Sequence, residues 1–227
     1  MTPAAVARSV RVERAGCEVS ALLLRPAGAR ACFAFAHGAG AGIRHPFMEA
    51  LSQGLAAHGV ATFRYQFPYM EQGSRRPDPQ PVLLATVRAA AAAARAEVQE
   101  LPLVAGGKSM GGRMTTLAAS EAPLEGVRGI VLVGFPLHGV GMPPGTERAQ
   151  HLASVAAPML FLQGTRDRLA DLELMRGVCA GLGARATLHV VDGADHGFHV
   201  PKRTGRGDAE VVEELARVTA DWVAALK

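Results

Sequence analysis

Apolar runs that are rich in β-branched residues recur along the chain and predict eight strands. They cover Ser9–Glu13, Glu18–Arg25, Ala31–Ala36, Val60–Gln66, Leu101–Gly106, Gly129–Phe135, Pro158–Gln163 and Ala186–Val191. The first two are predicted to form a hairpin that turns at Ala15 and Gly16. Most of the other six are apolar throughout, as strands buried on both faces of a sheet are.

Helical patterns lie between these strands. They cover Pro46–His58, Pro81–Glu100, Ser109–Ser120, Thr146–Ser154, Leu169–Leu182 and Asp208–Leu226. Alternation of strand and helix predicts an α/β fold, with a mostly parallel sheet and helices on both of its faces. Because we find no repeat and no linker, we expect a single domain over residues 1–227.

Composition and charge narrow the classes of protein to consider. Of 227 residues 49% are apolar and 19% charged, which excludes an extended disordered chain. The excess of 24 basic over 20 acidic residues is too small to indicate a nucleic-acid partner. Three scattered cysteines form neither a disulfide framework nor a metal ribbon. No signal peptide and no membrane span is predicted, so we expect a cytoplasmic protein. We also expect a small-molecule substrate and no metal or other cofactor.

A glycine-rich turn follows the fifth predicted strand and carries the motif G-x-S-x-G. It reads Gly107-Lys108-Ser109-Met110-Gly111 and leads directly into a predicted helix. At such a strand-to-helix junction a serine can serve as a nucleophile on a strained turn, where neighbouring glycines avoid steric clashes. The alternative is an ordinary helix entry with a capping serine.

Two phosphate-binding interpretations of the glycine-rich segments fail on spacing. A phosphate loop ending in Gly107-Lys108-Ser109 needs a glycine at position 102, which is Pro102. A dinucleotide turn beginning at Gly38 or Gly40 needs a third glycine where Ile43 or His45 stands.

A serine nucleophile needs a base and an acid, and both follow in the expected order. Asp167 comes after the seventh predicted strand and His196 after the eighth. In α/β-hydrolases the serine, the acid and the histidine follow one another in this order, on loops at the carboxyl ends of strands. We therefore predict that His196 accepts the proton of Ser109 and that Asp167 orients the imidazole.

Other residues compete for these two roles. Asp167 could instead cap the helix that follows it, and Asp171 could then be the acid. His189 and His199 are alternative bases, although His189 falls within a predicted strand. Asp195 is expected to have a capping or surface role.

An oxyanion formed during attack needs preorganised N–H donors. One is expected from Met110, which follows the serine, and the other from the loop at residues 37–42 after the third strand. Small residues there allow the backbone to approach a substrate closely. We favour Ala39 as this second donor, followed by Gly38.

Basic residues cluster on the loops at the predicted catalytic edge, at Arg44, Arg75, Arg76, Lys108, Arg166 and Arg168. Arg75 and Arg76 are candidates for attracting an anionic ester, because a cleft of one charge concentrates substrates of the other. The alternative is that all six are solvated surface residues.

The short segment from Pro136 to Glu147 predicts that no cap domain covers the site.

These motifs resemble the α/β-hydrolase superfamily over nearly the whole chain. A narrower set is similar to a small family of predicted, dienelactone-hydrolase-like hydrolases, related to the hydrolase-like domain of a non-catalytic subunit of a chromatin acetyltransferase complex. The segments are Ala36–Ala41, Phe67–Met70, Arg75–Pro77, Gly106–Arg113, Gln163–Asp167 and Gly193–His196. The resemblance implies an eight-stranded sheet and a Ser–Asp–His triad. Dienelactone hydrolases proper use a cysteine nucleophile, whereas this chain has Ser109.

The sequence therefore predicts a serine hydrolase that cleaves a small carboxylic ester or thioester through an acyl-enzyme. Peptidase activity would use the same triad. A protein of another class, a non-catalytic interaction module on the same scaffold, is the alternative, since fold does not dictate function.

Overall fold

Eight strands form one sheet in the computed structural model, which describes residues 6–14 and 16–226. They are β1 (Arg8–Arg14), β2 (Cys17–Leu24), β3 (Ala31–Ala36), β4 (Val60–Tyr65), β5 (Leu103–Lys108), β6 (Val127–Val133), β7 (Met159–Gly164) and β8 (Ala186–Val191). Their order is β1-β2-β4-β3-β5-β6-β7-β8. β2 pairs antiparallel with β1 and β4, and all other pairs are parallel. The predicted α/β class and the hairpin pairing are confirmed, while Ala15 of the predicted turn lies outside the described residues, as do residues 1–5 and Lys227 of the predicted domain.

Six α-helices connect or flank the strands. They are α1 (Pro46–Ala57), α2 (Pro68–Glu71), α3 (Gln80–Glu97), α4 (Met110–Glu121), α5 (Leu172–Leu182) and α6 (Asp208–Ala225). Short 3₁₀ helices cover Glu147–Ser154, Gly183–Arg185 and Lys202–Thr204.

Three helix predictions need correction. The segment predicted as a helix at Thr146–Ser154 is a 3₁₀ helix, whose buried residues Ala149 and Leu152 are three positions apart, which matches three residues per turn. The single turn of α2 lies between the predicted strand Val60–Gln66 and the predicted helix Pro81–Glu100, where no helix was predicted. α5 begins at Leu172 rather than at Leu169, because the Asp171 side chain caps it.

The sheet is buried between two helical layers. β3 shows why, since Cys32, Ala34 and Ala36 pack into the core on one face, while Phe33 and Phe35 pack into the core on the other. The first face is covered by α3, α4 and α5, and the second by α1 and α6. A strand that alternates between two apolar layers has no polar face, which explains the continuous apolar runs of the sequence.

The parallel strands bring their carboxyl ends to one edge of the sheet, where α/β folds place their ligands. The loops after β3, β5, β7 and β8 all meet there. In the part of the chain that the structure describes, no cap domain covers this edge, as predicted. No helix among those residues is long and apolar enough to cross a membrane.

Candidate active site

Ser109 stands between β5 and α4 in a backbone conformation that is rare for a residue with a side chain. Its φ is 50° and its ψ is −114°. Its N–H donates to the Val133 carbonyl at 3.0 Å, which fixes the turn to β6. The side chain makes no capping bond to α4, so Ser109 is not a capping serine. Strain of this kind is concentrated at functional sites, because the surrounding structure must hold the residue in place.

The glycines of the motif let this turn pack directly against β3. A Cβ at Gly107 would lie 2.5 Å from the Ala36 carbonyl oxygen, and one at Gly111 would lie 2.6 Å from the same atom. Any side chain at either position would push α4 and the Ser109 turn away from the sheet.

His196 and Asp167 complete a hydrogen-bonded line with Ser109. The His196 Nε2 atom is 2.9 Å from the Ser109 Oγ atom, and its Nδ1 atom is 2.7 Å from the Asp167 Oδ2 atom. A carboxylate can only accept, so Nδ1 carries the proton, and the Nε2 lone pair faces the serine. The structure thus brings the three predicted residues together.

Asp167 is held by two further donors. The Leu169 N–H donates to its Oδ1 atom at 2.8 Å, and the Gln163 Nε2 group donates to its Oδ2 atom at 2.6 Å. Its side chain is 1% exposed. The local turn and the contact with His196 therefore use different oxygens of the same carboxylate.

The competing carboxylates have other partners. Asp171 accepts the Leu174 N–H at 3.0 Å and so caps α5. The Asp195 Oδ1 atom accepts the N–H groups of Gly197 and His199, which is the turn-capping role that was expected of it.

The competing histidines also point elsewhere. The His189 Nε2 atom lies 2.7 Å from the Glu214 Oε1 atom, toward α6. The His199 Nδ1 atom lies 2.6 Å from the Asp208 Oδ2 atom, and this hydrogen bond raises the pKa of His199.

Lys108, the residue before Ser109, contacts the loop that carries His196. Its Nζ atom donates to the His196 carbonyl oxygen at 2.6 Å and lies 5.5 Å from the centre of the Phe198 ring. Burial lowers the pKa of the ammonium group to about 8, although the charges of Asp167 and Asp195 oppose this shift. Sequence reasoning treated Lys108 only as one of several basic loop residues.

The loop after β3 is fixed by the fully buried His37 side chain. Its Nδ1 atom donates to the Gly38 carbonyl at 2.7 Å, and its Nε2 atom accepts the Phe67 N–H at 3.1 Å. Because Nε2 can accept only when it carries no proton, the ring is neutral, and burial lowers the pKa of His37 to about 4. The Tyr69 hydroxyl also accepts the Gly40 N–H at 3.0 Å. Sequence reasoning missed this role, and the only available signal was a histidine at the end of a buried strand before a glycine-rich loop.

The predicted oxyanion donors border the serine. Met110 is the first residue of α4, so its N–H has no partner within the helix. Ala39 lines the cleft at Ser109, and its N–H donates to no acceptor among the described residues. A Cβ at Gly38 would lie 3.8 Å from the Ser109 Cβ atom.

A cleft of about 720 Å³ opens at Ser109. Its walls are largely apolar, with Phe47 and Met48 of α1, Val140, Leu169 and Phe198. Arg75 and Arg76 are exposed, and neither lines this cleft, so their predicted substrate contact stays a prediction. Within residues 6–14 and 16–226, no cluster of three or more His, Cys, Asp or Glu side chains could hold a metal ion.

Comparison with known proteins adds a family and several similar folds. Residues 29–224 match a family model described as an alpha/beta hydrolase domain. The chain is 21% identical to a dienelactone hydrolase from Anabaena variabilis, with a TM-score of 0.77 over 98% of this chain and 99% of that one. It is 17% identical to an α/β serine hydrolase without a lid from Xanthomonas campestris, with a TM-score of 0.74 over 97% of each chain. Likeness at these identities concerns the fold.

Proposed function

The chain belongs to the alpha/beta hydrolase family, and we propose that it is a serine hydrolase that cleaves a small carboxylic ester or thioester. The observation that carries this proposal is the continuous line from the Ser109 Oγ atom through His196 to Asp167, with distances of 2.9 and 2.7 Å. A binding protein would not require a nucleophile, a base and an acid aligned in this way.

The first half of the proposed reaction forms an acyl-enzyme. The His196 Nε2 atom takes the hydroxyl proton as the Ser109 oxygen attacks the substrate carbonyl carbon. The carbonyl oxygen becomes negative and accepts hydrogen bonds from the N–H groups of Met110 and Ala39. When the tetrahedral intermediate collapses, the bond to the alcohol or thiol breaks, and His196 returns the proton to this leaving group.

The second half hydrolyses the acyl-enzyme. Water gives a proton to His196 and attacks the acyl carbon, and the Ser109 oxygen leaves as the proton returns to it. Asp167 keeps its charge throughout and stabilises the imidazolium that forms in each half.

We expect a fluorophosphonate to label Ser109, because an activated serine displaces fluoride from phosphorus and an unactivated one does not. The purified protein is treated with the reagent, and its intact mass is measured beside that of Ser109→Ala. The expected result is one adduct that is absent from the variant. A panel of esters and thioesters that vary in acyl length then follows.

Absence of an adduct on folded protein would contradict the proposal. The alternative of a non-catalytic interaction module on the same scaffold would then be favoured, since fold does not dictate function. Partner capture would replace the substrate panel in that case.

A further inference from the structure

The walls of the cleft at Ser109 are built from aromatic and aliphatic side chains. The Phe47 ring stacks on the Phe198 ring, with 5.7 Å between their centres and 17° between their planes. Phe198 is fully buried and has a φ of 65°, a strained conformation in which its N–H donates to the Asp195 carbonyl at 2.9 Å. These two rings form an aromatic part of the cleft lining beside the candidate nucleophile.

Two charged groups along the cleft already form hydrogen bonds with other groups of the protein. The Lys108 Nζ atom donates to the His196 carbonyl oxygen, and the Asp208 carboxylate binds His199 and accepts the Val200 N–H. Among the described residues, no arginine lines the cleft. A substrate carboxylate placed against the apolar walls of the cleft would lose its hydration without a compensating charge on those walls.

The rim of the cleft carries an exposed apolar side chain. Val140 lines the opening and is 86% exposed. Met142, two residues further along the same loop, is 61% exposed but does not line the cleft. Val140 therefore adds an exposed apolar side chain to the cleft wall that also includes Phe47 and Phe198.

We infer that the acyl group of the substrate is neutral and apolar and lies along the wall formed by Phe47, Phe198 and Val140. The inference rests on the proposed hydrolase function and specifies its substrate class. It differs from the anionic ester that the arginine-rich loops suggested, because those arginines lie outside the cleft.

A panel of p-nitrophenyl esters tests the inference. We expect kcat/KM to rise about three- to fourfold for each methylene added from acetate to hexanoate, the gain typical of a buried methylene. A matched pair isolates the charge, since the hemiadipate carries a carboxylate where the 6-methylheptanoate carries an isopropyl group. The neutral member should be preferred by about tenfold or more.

Two variants of one loop provide the matched control. Val140→Asp should lower kcat/KM for the hexanoate more than for the acetate, whereas Met142→Asp should leave both values unchanged. A flat chain-length series, or a preference for the hemiadipate, would overturn the inference. Fluorophosphonate labelling separates the two failures: unlabelled Ser109 contradicts the proposed function, and labelled Ser109 with an anionic preference contradicts only the substrate class.

A second inference comes from Lys108, whose position the proposed reaction steps do not use. It is the last residue of β5, and its Nζ atom reaches the main chain of His196, 88 residues later. No carboxylate within the described residues forms an ion pair with it at 4.0 Å or less. A largely buried ammonium group without such a partner is costly, so its single polar contact should have a specific use.

We propose that Lys108 is a positioning residue that ties the loop bearing His196 to the strand that ends at Ser109. The groups facing its ammonium are His196, Asp195 and the Phe198 ring from the loop after β8, Asp167 from the loop after β7, and the uncharged Gly134 after β6. Because the pKa of Lys108 is about 8, its positive charge is lost in mildly alkaline solution and the contact weakens.

The pH profile of kcat/KM between pH 5 and 10 tests this role. The wild-type profile should fall above about pH 8, in step with the pKa of Lys108. Lys108→Met should lower kcat by about tenfold with little change in KM, and the alkaline fall should disappear. Lys108→Gln keeps a neutral donor, as the deprotonated lysine does, so its rate at pH 7 should lie between those of Lys108→Met and the wild type, and its profile should lack the alkaline fall.

Lys202→Met is the matched control, because Lys202 is exposed and lies in a 3₁₀ helix that does not line the cleft. Its profile should match the wild type. An unchanged kcat and an unchanged alkaline fall in folded Lys108→Met would overturn the proposal. If Lys108→Met does not fold, an alkaline fall that persists in Lys108→Gln would overturn it equally.

Discussion

Replacing Asp167 with asparagine should lower kcat/KM by about 10⁴-fold, the cost of placing the histidine in the wrong tautomer. The Leu169 N–H keeps the side-chain oxygen of residue 167 on the turn, so the new amide group faces His196. The His196 Nδ1 atom must then accept, which places the proton on Nε2. A protonated Nε2 atom donates to the Ser109 oxygen and cannot take its proton.

The fold should survive this substitution. The Oε1 atom of Gln163 is buried and has no hydrogen-bond partner among the residues that the structure describes, so a flip of that amide provides an acceptor for the new NH₂ group. Thermal unfolding should therefore show little change beside the large loss in rate. Kinetics with a p-nitrophenyl ester and the thermal midpoint, both measured on the same preparation, check this expectation.

Asp171→Asn is the matched control, since it makes the same change four residues away. Asp171 caps α5 and does not contact His196, and asparagine caps helices as well as aspartate does. Its kcat/KM should stay near the wild-type value. The opposite result would be a large loss of kcat/KM in Asp171→Asn and a small loss in Asp167→Asn. It would mean that Asp171 is the acid and that catalysis does not use the contact between Asp167 and His196.

The central strands β3 to β7 were predictable because most of their residues are buried. The bounds of β3 and β8 match the predicted ranges residue for residue. In β3 every residue is buried, and so the apolar run has no polar interruption that could blur its limits. The prediction was less accurate at β5, where the apolar run leads directly into the glycine-rich turn. This strand ends at Lys108 and not at Gly106.

The loops of the candidate triad were also predictable, for a topological reason. Parallel strands end at the same edge, so the order of Ser109, Asp167 and His196 along the chain was enough to place them together. Hydrogen bonding then distinguishes Asp167 from Asp171, and only the folded chain shows that one faces the imidazole and the other faces a helix end.

Contacts between distant loops could not be predicted from the sequence. The Lys108 ammonium meets His196, and the His37 ring meets Phe67, through pairs of residues with no pattern of spacing between them. The sequence also does not indicate whether Arg75 and Arg76 line the cleft, because a basic loop residue has the same sequence pattern whether it lines a cleft or faces solvent. Charge on nearby loops therefore does not by itself indicate which residues line the cleft.

Replacing Gly106 with alanine should strongly destabilise the native sheet. A Cβ at this position would lie 1.9 Å from the carbonyl oxygen of Val131 on the neighbouring strand, and the φ of Gly106 is 148°, which disfavours any side chain. The clash is with main chain, so no rotamer change relieves it, and β5 and β6 would have to separate. We expect a loss of more than about 4 kcal/mol in the free energy of unfolding, a large part of the stability of a typical domain.

Gly177→Ala is the control that makes this a test of packing and not of glycine as such. Gly177 is exposed within α5, and a Cβ there would meet no atom within 4 Å. Alanine should raise the free energy of unfolding by about 1 kcal/mol, because glycine is a poor helix former. Urea unfolding followed by circular dichroism measures both variants. If Gly106→Ala unfolds at the wild-type midpoint, the close approach of β5 to β6 is wrong, and with it the support for the strained turn at Ser109.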